Sequence, residues 1–130
     1  MAISAYIREH APRRAGELTE LPKFVVEAGG AYGIDQFVQA RLIRESGYDR
    51  TALSHVGAIG LAQFLPFTIR MYGMSVAHFR DSIHCQVNLA ARYLADLTRR
   101  YGSQDLALLA YNGALRPSHA AYVMRVRGTL

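Results

Sequence analysis

A short helix with firm stop signals, followed by a glycine-broken stretch unable to form a long helix, occupies Ile34 to Thr68. Asp35 is placed to cap the helix, because its carboxylate can accept from an otherwise unpaired first-turn N–H. Val38, Leu42 and Glu45 follow at i, i+4 and i+7 and so share one helical face. Gly47 stops the helix just beyond them. The spacing predicts that Glu45 ends an apolar stripe on the core side. A carboxylate there loses hydration, which favours the protonated form that a general acid needs. The structural alternative is a helix-end acid paired with Arg41, four residues earlier. Beyond the helix, Ser46 adds a hydroxyl beside the acid, and Gly57 and Gly60 bracket a tightly turned segment. Gln63 can donate and accept hydrogen bonds, and Pro66 suits the first turn of a new helix.

The pattern E-S-G-x-D-x-x-A-x-S-x-x-G-A-x-G-L-x-Q-x-x-P-x-T, running from Glu45 to Thr68, resembles the catalytic motif of the soluble lytic transglycosylases. That family shares the goose-type lysozyme fold. So many matches at fixed spacing make a specific signal. The run Gln86 to Gly102 is similar to the family's long central helix. Leu109-Ala110-Tyr111-Asn112-Gly113 resembles its A-Y-N-A-G block, and Tyr122 to Val126 its Y-V-x-x-V. Two departures stand out. The usual G-L-M-Q is Gly60-Leu61-Ala62-Gln63, and A-Y-N-A-G has become Ala110-Tyr111-Asn112-Gly113-Ala114. The resemblance covers roughly Leu21 to Val126.

By the family's pattern Glu45 is the catalytic residue, and Ser46, Gln63, Tyr111, Asn112 and Tyr122 orient it or bind the substrate. The substrate implied is peptidoglycan, cut between N-acetylmuramic acid and N-acetylglucosamine to leave 1,6-anhydro ends, with no metal or other cofactor. Most glycosidases use two carboxylates. Here the nearest other acids in sequence are Asp49, beyond the helix stop, and Glu27, on a different helix. Asp49 is read as a loop-capping residue. A hydrolytic lysozyme on the same fold and a non-catalytic wall-binding or structural virion protein are the competing readings.

At 130 residues the chain is long enough for one domain with its own core. A hydrophobic fraction of 51% with 19% charged residues belongs to a globular chain. The net charge of +5 comes from fourteen arginines and one lysine and favours anionic partners. The arginines are scattered, without a basic stripe interleaved with aromatics, which argues against nucleic acid. One cysteine, Cys85, excludes an intrachain disulfide. No apolar run reaches membrane-spanning length, so no stable membrane insertion is expected. The opening M-A-I-S-A-Y-I-R-E-H-A-P-R-R does not read as a signal peptide. For an enzyme acting in the periplasm or cell wall, this points to delivery by a virion or a secretion apparatus.

Taken in order, residues 1–20 read as an N-terminal extension, with a short helix that turns Ile3, Tyr6 and Ile7 inward and ends at Pro12. Residues 21–130 read as the catalytic domain. A helix from Leu21 weakens at Gly29-Gly30. After the active-site helix comes a loop with a small hairpin around Val56 to Leu61, then short helices from Pro66 and Ser75. Asp81 caps the longest helix, striped by Ile83, Val87, Ala90 or Ala91, Leu94 and Leu97 and stopped by Gly102. Ser103 caps the next, and a last helix carries Ala121, Tyr122 and Val126. The fold class expected is mainly α, a compact lysozyme-like domain with at most a small β-hairpin.

Overall fold

The computed structural model describes residues 2–14, 16, 18–111 and 125–128. Helix accounts for most of them: α1 (Ala2–His10), α2 (Leu21–Tyr32), α3 (Gln36–Arg44), α4 (Pro66–Met71), α5 (Val76–Asp81), α6 (Ile83–Tyr101) and α7 (Gln104–Tyr111). Among the described residues, β structure is limited to two isolated antiparallel bridges, Leu53 with Ile59 and Ile59 with Phe64. The fold is therefore mainly α, and the expected hairpin is reduced to a bridged turn.

Helix α6 is the axis. Val87, Ala90, Ala91, Leu94 and Leu97 recur at helical spacing and are buried. Gly102, with φ of 76°, ends the helix by donating its N–H to Thr98. The N-cap differs from expectation. The Ser82 hydroxyl, not Asp81, accepts from the Cys85 N–H at 3.1 Å. Asp81 is drawn into the last turn of α5, so the break between the helices falls on Ser82, whose backbone is extended.

Helices α2 and α7 pack along α6, and α3 packs on α2. Asp35 caps α3 as its position predicts, accepting from the N–H groups of Phe37 and Val38 at 2.8 and 3.2 Å. Helix α1 lies on α2 and α3 and inserts Ile3 and Ile7 into their core. Of the last predicted helix, residues 125–127 are described and helical, with Val126 buried. Ala121 and Tyr122 lie outside the described residues.

Two apolar clusters result. The larger joins α1, α2, α3, α7 and one side of α6, and includes Ile3, Val25, Leu42, Ile43, Leu94 and Leu108. The smaller gathers Ile59, Ala62, Phe64, Ile69 and Phe79 around Leu89 and Ala90 of α6. Tyr93 and Tyr111 pack against both. The end of α3 belongs to the larger cluster, and the glycine-containing loop divides, Leu61 joining that cluster and Ile59, Ala62 and Phe64 the smaller, so the two meet along a seam.

Helix α2 does not weaken at Gly29-Gly30; it runs through both and turns at Gly33, where φ is 69°. The two glycines differ in what surrounds them. A Cβ on Gly29 would sit 2.6 Å from the Ile34 carbonyl oxygen, whereas one on Gly30 would meet nothing within 4 Å. Of these two glycines, only Gly29 must stay bare for the chain to reverse from α2 into α3. Gly29→Ala is expected to cost about 1–3 kcal/mol through forced overpacking. Gly30→Ala is expected to stabilise by about 0.5–1 kcal/mol through backbone entropy. Urea unfolding of the two variants measures both signs.

Candidate active site

Glu45 follows the last residue of α3, with φ −62° and ψ −21°. The stripe that leads to it holds through Val38 and Leu42, both buried, and then fails: Glu45 is exposed. Glu45 keeps helical φ and ψ as the C-cap, but its long side chain reaches out from the helix end and stays partly open to solvent. The acid also meets a different partner from the one its neighbourhood suggested. Arg125 donates through Nε at 3.2 Å and Nη2 at 2.8 Å, both to Oε1. Arg41 instead donates to the Arg127 carbonyl at 3.3 Å. Among the described residues the second carboxylate oxygen, Oε2, accepts no hydrogen bond.

The loop opposite is held from α6. Gln86 is fully buried, and its Oε1 accepts from the Leu61 N–H at 2.9 Å. Its Nε2 donates to the carbonyls of Arg50 and Arg80 at 3.3 and 3.2 Å. Gly60, at φ 81°, lets the backbone reach this amide, since a Cβ would stand 2.5 Å from Gln86 Oε1. Ser54 closes the other side of the turn, its Oγ accepting from the N–H groups of Ala58 and Val56 at 3.0 and 3.3 Å. Behind the acid, Tyr48 is buried with its hydroxyl on the Ala40 carbonyl at 2.8 Å. Burial pushes that hydroxyl far above the usual tyrosine range, so it stays a neutral donor.

A groove of about 410 Å³ lies between α3 and this loop. Leu42, Leu61 and Ala62 give it an apolar wall, and Glu45, Gln63, Tyr111 and Arg125 bring polar groups to it. Three of the residues singled out from sequence, Glu45, Gln63 and Tyr111, thus line one cavity. Gln63 adopts φ 54° and donates Nε2 to the Gly60 carbonyl at 2.9 Å. Among the described residues its Oε1 accepts no hydrogen bond, which leaves an acceptor for a ligand hydroxyl. The Tyr111 hydroxyl donates to the Ala62 carbonyl at 2.9 Å, with its ring edge-on to Phe64 at 5.7 Å. Ser46 does not line the groove; its Oγ donates to the Ile43 carbonyl at 2.7 Å and finishes the helix. Asn112 and Tyr122 lie outside the described residues.

Among the described residues lining the groove, Glu45 is the one carboxylate. Asp49 is engaged elsewhere. It accepts from the Thr51 N–H and hydroxyl at 2.9 and 2.8 Å, and these bonds, with Arg14 nearby at 3.5 Å, hold its carboxyl below the usual range. Glu27 is an exposed residue of α2, 4.0 Å from Lys23. Among the described residues no three His, Cys, Asp or Glu side chains gather closely enough to hold a metal ion. No described helix is long and apolar enough to cross a membrane.

Sequence reasoning passed over two residues of this arrangement. Gln86 carried a signal, a polar side chain at i+3 inside the stripe Ile83, Val87, Ala90, where a fully buried amide must find partners. Arg125 carried none, being 80 residues from the acid it meets.

A family model described as Transglycosylase SLT domain matches residues 23–121 of the chain, which include α3, the loop and α6. Within that span Gln86 is the residue on which the loop's position turns. Gln86→Leu keeps the volume but strands the Leu61 N–H and two carbonyls, and is expected to cost about 2–3 kcal/mol. Hydrogen exchange at the Leu61 amide should accelerate more than exchange in the middle of α6, showing that the loop loosens before the helix does.

Proposed function

The chain belongs to the transglycosylase SLT domain family, and from that premise we propose that it is a peptidoglycan lytic transglycosylase in which Glu45 acts first as acid and then as base. The bond cut is the β-1,4 link from N-acetylmuramic acid to N-acetylglucosamine. The observation that carries this reading is a groove whose described lining residues include a single carboxylate, with one oxygen that accepts no hydrogen bond among the described residues. An inverting hydrolase needs a second carboxyl about 6.5–9.5 Å away with room for water, and a retaining one a nucleophile at about 5–5.5 Å. Asp49, nearest in sequence, is taken by Thr51 and Arg14.

The nucleophile then comes from the substrate. The oxygen of the 2-acetamido group attacks the anomeric carbon while Glu45 gives its proton to the departing glycosidic oxygen. The carboxylate so formed takes the proton of the same sugar's 6-hydroxyl, which closes the 1,6-anhydro ring and releases the acetamido group. An internal hydroxyl outcompetes solvent because it is already in place, with an effective concentration far above that of any free nucleophile. Gln63 accepts from a glycan hydroxyl, and Tyr111 holds the Ala62 carbonyl and with it the groove wall. Asn112 and Tyr122 are assigned to the glycan by resemblance. Ser46 is assigned to the helix end. The setting inferred is local wall opening by a phage particle or a secretion apparatus, where a basic domain meets an anionic wall.

Digestion of purified sacculi followed by mass analysis tests the reaction type. The expected muropeptides end in 1,6-anhydro-N-acetylmuramic acid, one water lighter than hydrolysed ends. A product dominated by reducing ends would establish a lysozyme and return Asp49 to consideration as its base. Glu45→Gln is expected to lower the rate by about a thousandfold or more while binding persists, since the amide still accepts from Arg125 but has no acidic proton to give. Activity within tenfold of the unaltered protein would remove Glu45 from this role.

A further inference from the structure

Next to Glu45 lies a second cavity, of about 550 Å³, lined by Tyr6, Arg41, Arg44, Glu45, Arg125 and Gly128. It shares Glu45 and Arg125 with the groove and is otherwise lined by different residues. Tyr6 comes from α1, and Arg125 and Gly128 from the C-terminal turn; all three fall outside the span matched by the family model. The cavity is thus completed by parts of the chain that the family motif does not describe.

Its charge is lopsided, with three guanidinium groups facing one carboxylate. Arg44 has no ion-pair partner among the described residues. Arg41 also has no acidic partner among them, yet it is held firmly. Its guanidinium lies over the rings of Tyr6 and Phe37 at 5.9 and 5.7 Å and donates to the Arg127 carbonyl. Gly128 lets the turn close onto it, because a Cβ there would stand 2.6 Å from Arg41 Cζ. The turn is itself anchored by buried Val126 and by the Arg127–Asp105 ion pair. Like charges gathered on a fixed frame repel one another until an anion joins them, and planar guanidinium groups match carboxylate and phosphate oxygens in particular.

We propose that this cavity is an anion subsite that takes a carboxylate or phosphate borne by the wall polymer, and that its occupation draws Arg125 away from Glu45. The inference rests on the reading of Glu45 as the reacting acid. The Arg125–Glu45 pair is solvent-accessible on both sides, and exposed pairs are worth only about 0–1 kcal/mol, so a ligand anion that takes the place of Glu45 has little ion-pair energy to overcome. The exchange matters chemically. A guanidinium bound to Oε1 ties the carboxylate to the C-terminal turn, whereas Glu45 must turn first to the departing oxygen and then to the 6-hydroxyl. An anionic group that binds and also releases the acid raises kcat as well as lowering KM. Peptidoglycan supplies carboxylates on its stem peptides, and wall phosphodiester polymers supply phosphate.

Three substrates separate these sources: bare glycan strands, strands bearing stem peptides, and peptide-free strands bearing a phosphodiester polymer. The unaltered protein is expected to show kcat/KM about tenfold higher on one of the two anionic substrates than on bare strands, a factor equivalent to about 1.4 kcal/mol, with part of the gain in kcat. The substrate that shows the gain identifies the source. In Arg44→Gln, and separately in Arg41→Gln, the ratio is expected to fall towards one. Equal rates on all three strands, or a ratio that survives both substitutions in folded protein, would overturn the subsite. A gain confined to KM would overturn the release of Glu45. A binding measurement free of turnover keeps this apart from the reaction itself. Titration with inorganic phosphate to about 10 mM, a range suited to millimolar binding, should move the side-chain Nε–H resonances of Arg44 and Arg125. If no strand is cut but these signals move, the proposed function fails and the subsite stands; if they do not move, the subsite fails.

Discussion

One buried amide, Gln86, decides where the groove's far wall stands. Its oxygen holds the Leu61 N–H and its nitrogen holds two carbonyls, one before the loop and one from the turn that ends α5. A polar group with no exposed surface is stable in such a place only when its hydrogen bonds are made. Here those bonds fasten an otherwise irregular segment to the longest helix. Gly60 is the complement, a residue without a side chain at the point where the amide needs room. Glu45 on α3 and Gln63 and Tyr111 across from it face one another because both walls are referred to the same rod, α6.

The part of this arrangement set by local rules was legible in the sequence. Asp35, Gly102 and Ser103 act where their spacing places them, because caps depend on neighbours within a turn. The apolar stripe of α6 could be read from its period. Errors arose where two local signals competed at a boundary. Asp81 and Ser82 are both good caps, and the choice depended on how far α5 ran. Glu45 ends the core-side stripe as its period predicts, but a long side chain at a helix end can reach outward to an ion pair, which a period does not record. The partner of Glu45 was beyond any local rule, since chain closure alone brings Arg125 to it. Motif spacing, in contrast, led to the family that the model match supports, because a fixed run of glycines and polar residues encodes a loop geometry that periodicity does not capture.

Across the seam, the two apolar clusters are joined by α6 and by the rings of Tyr93 and Tyr111. These rings lie tilted against each other at 5.4 Å, and each meets Phe64 edge-on. The groove's width is therefore set by packing on both sides and not by the loop alone. Burial raises the Tyr93 hydroxyl above its ordinary range, which keeps this joint uncharged through the neutral region.

The burial of Ile3 and Ile7 bears on where this protein can be cut. Both side chains are almost inaccessible, and they share a cluster with Leu42, Leu94 and Val126. Fully burying side chains of this kind contributes about 1.5–3 kcal/mol each, against a total margin of about 5–15 kcal/mol for a domain. Excising the span that the family match outlines would discard both isoleucines together with Val126. The stretch that the family match outlines is thus shorter than the stretch that shares one core, and a fragment trimmed to it would keep the run from Glu45 to Thr68 while losing part of the packing that holds it in shape.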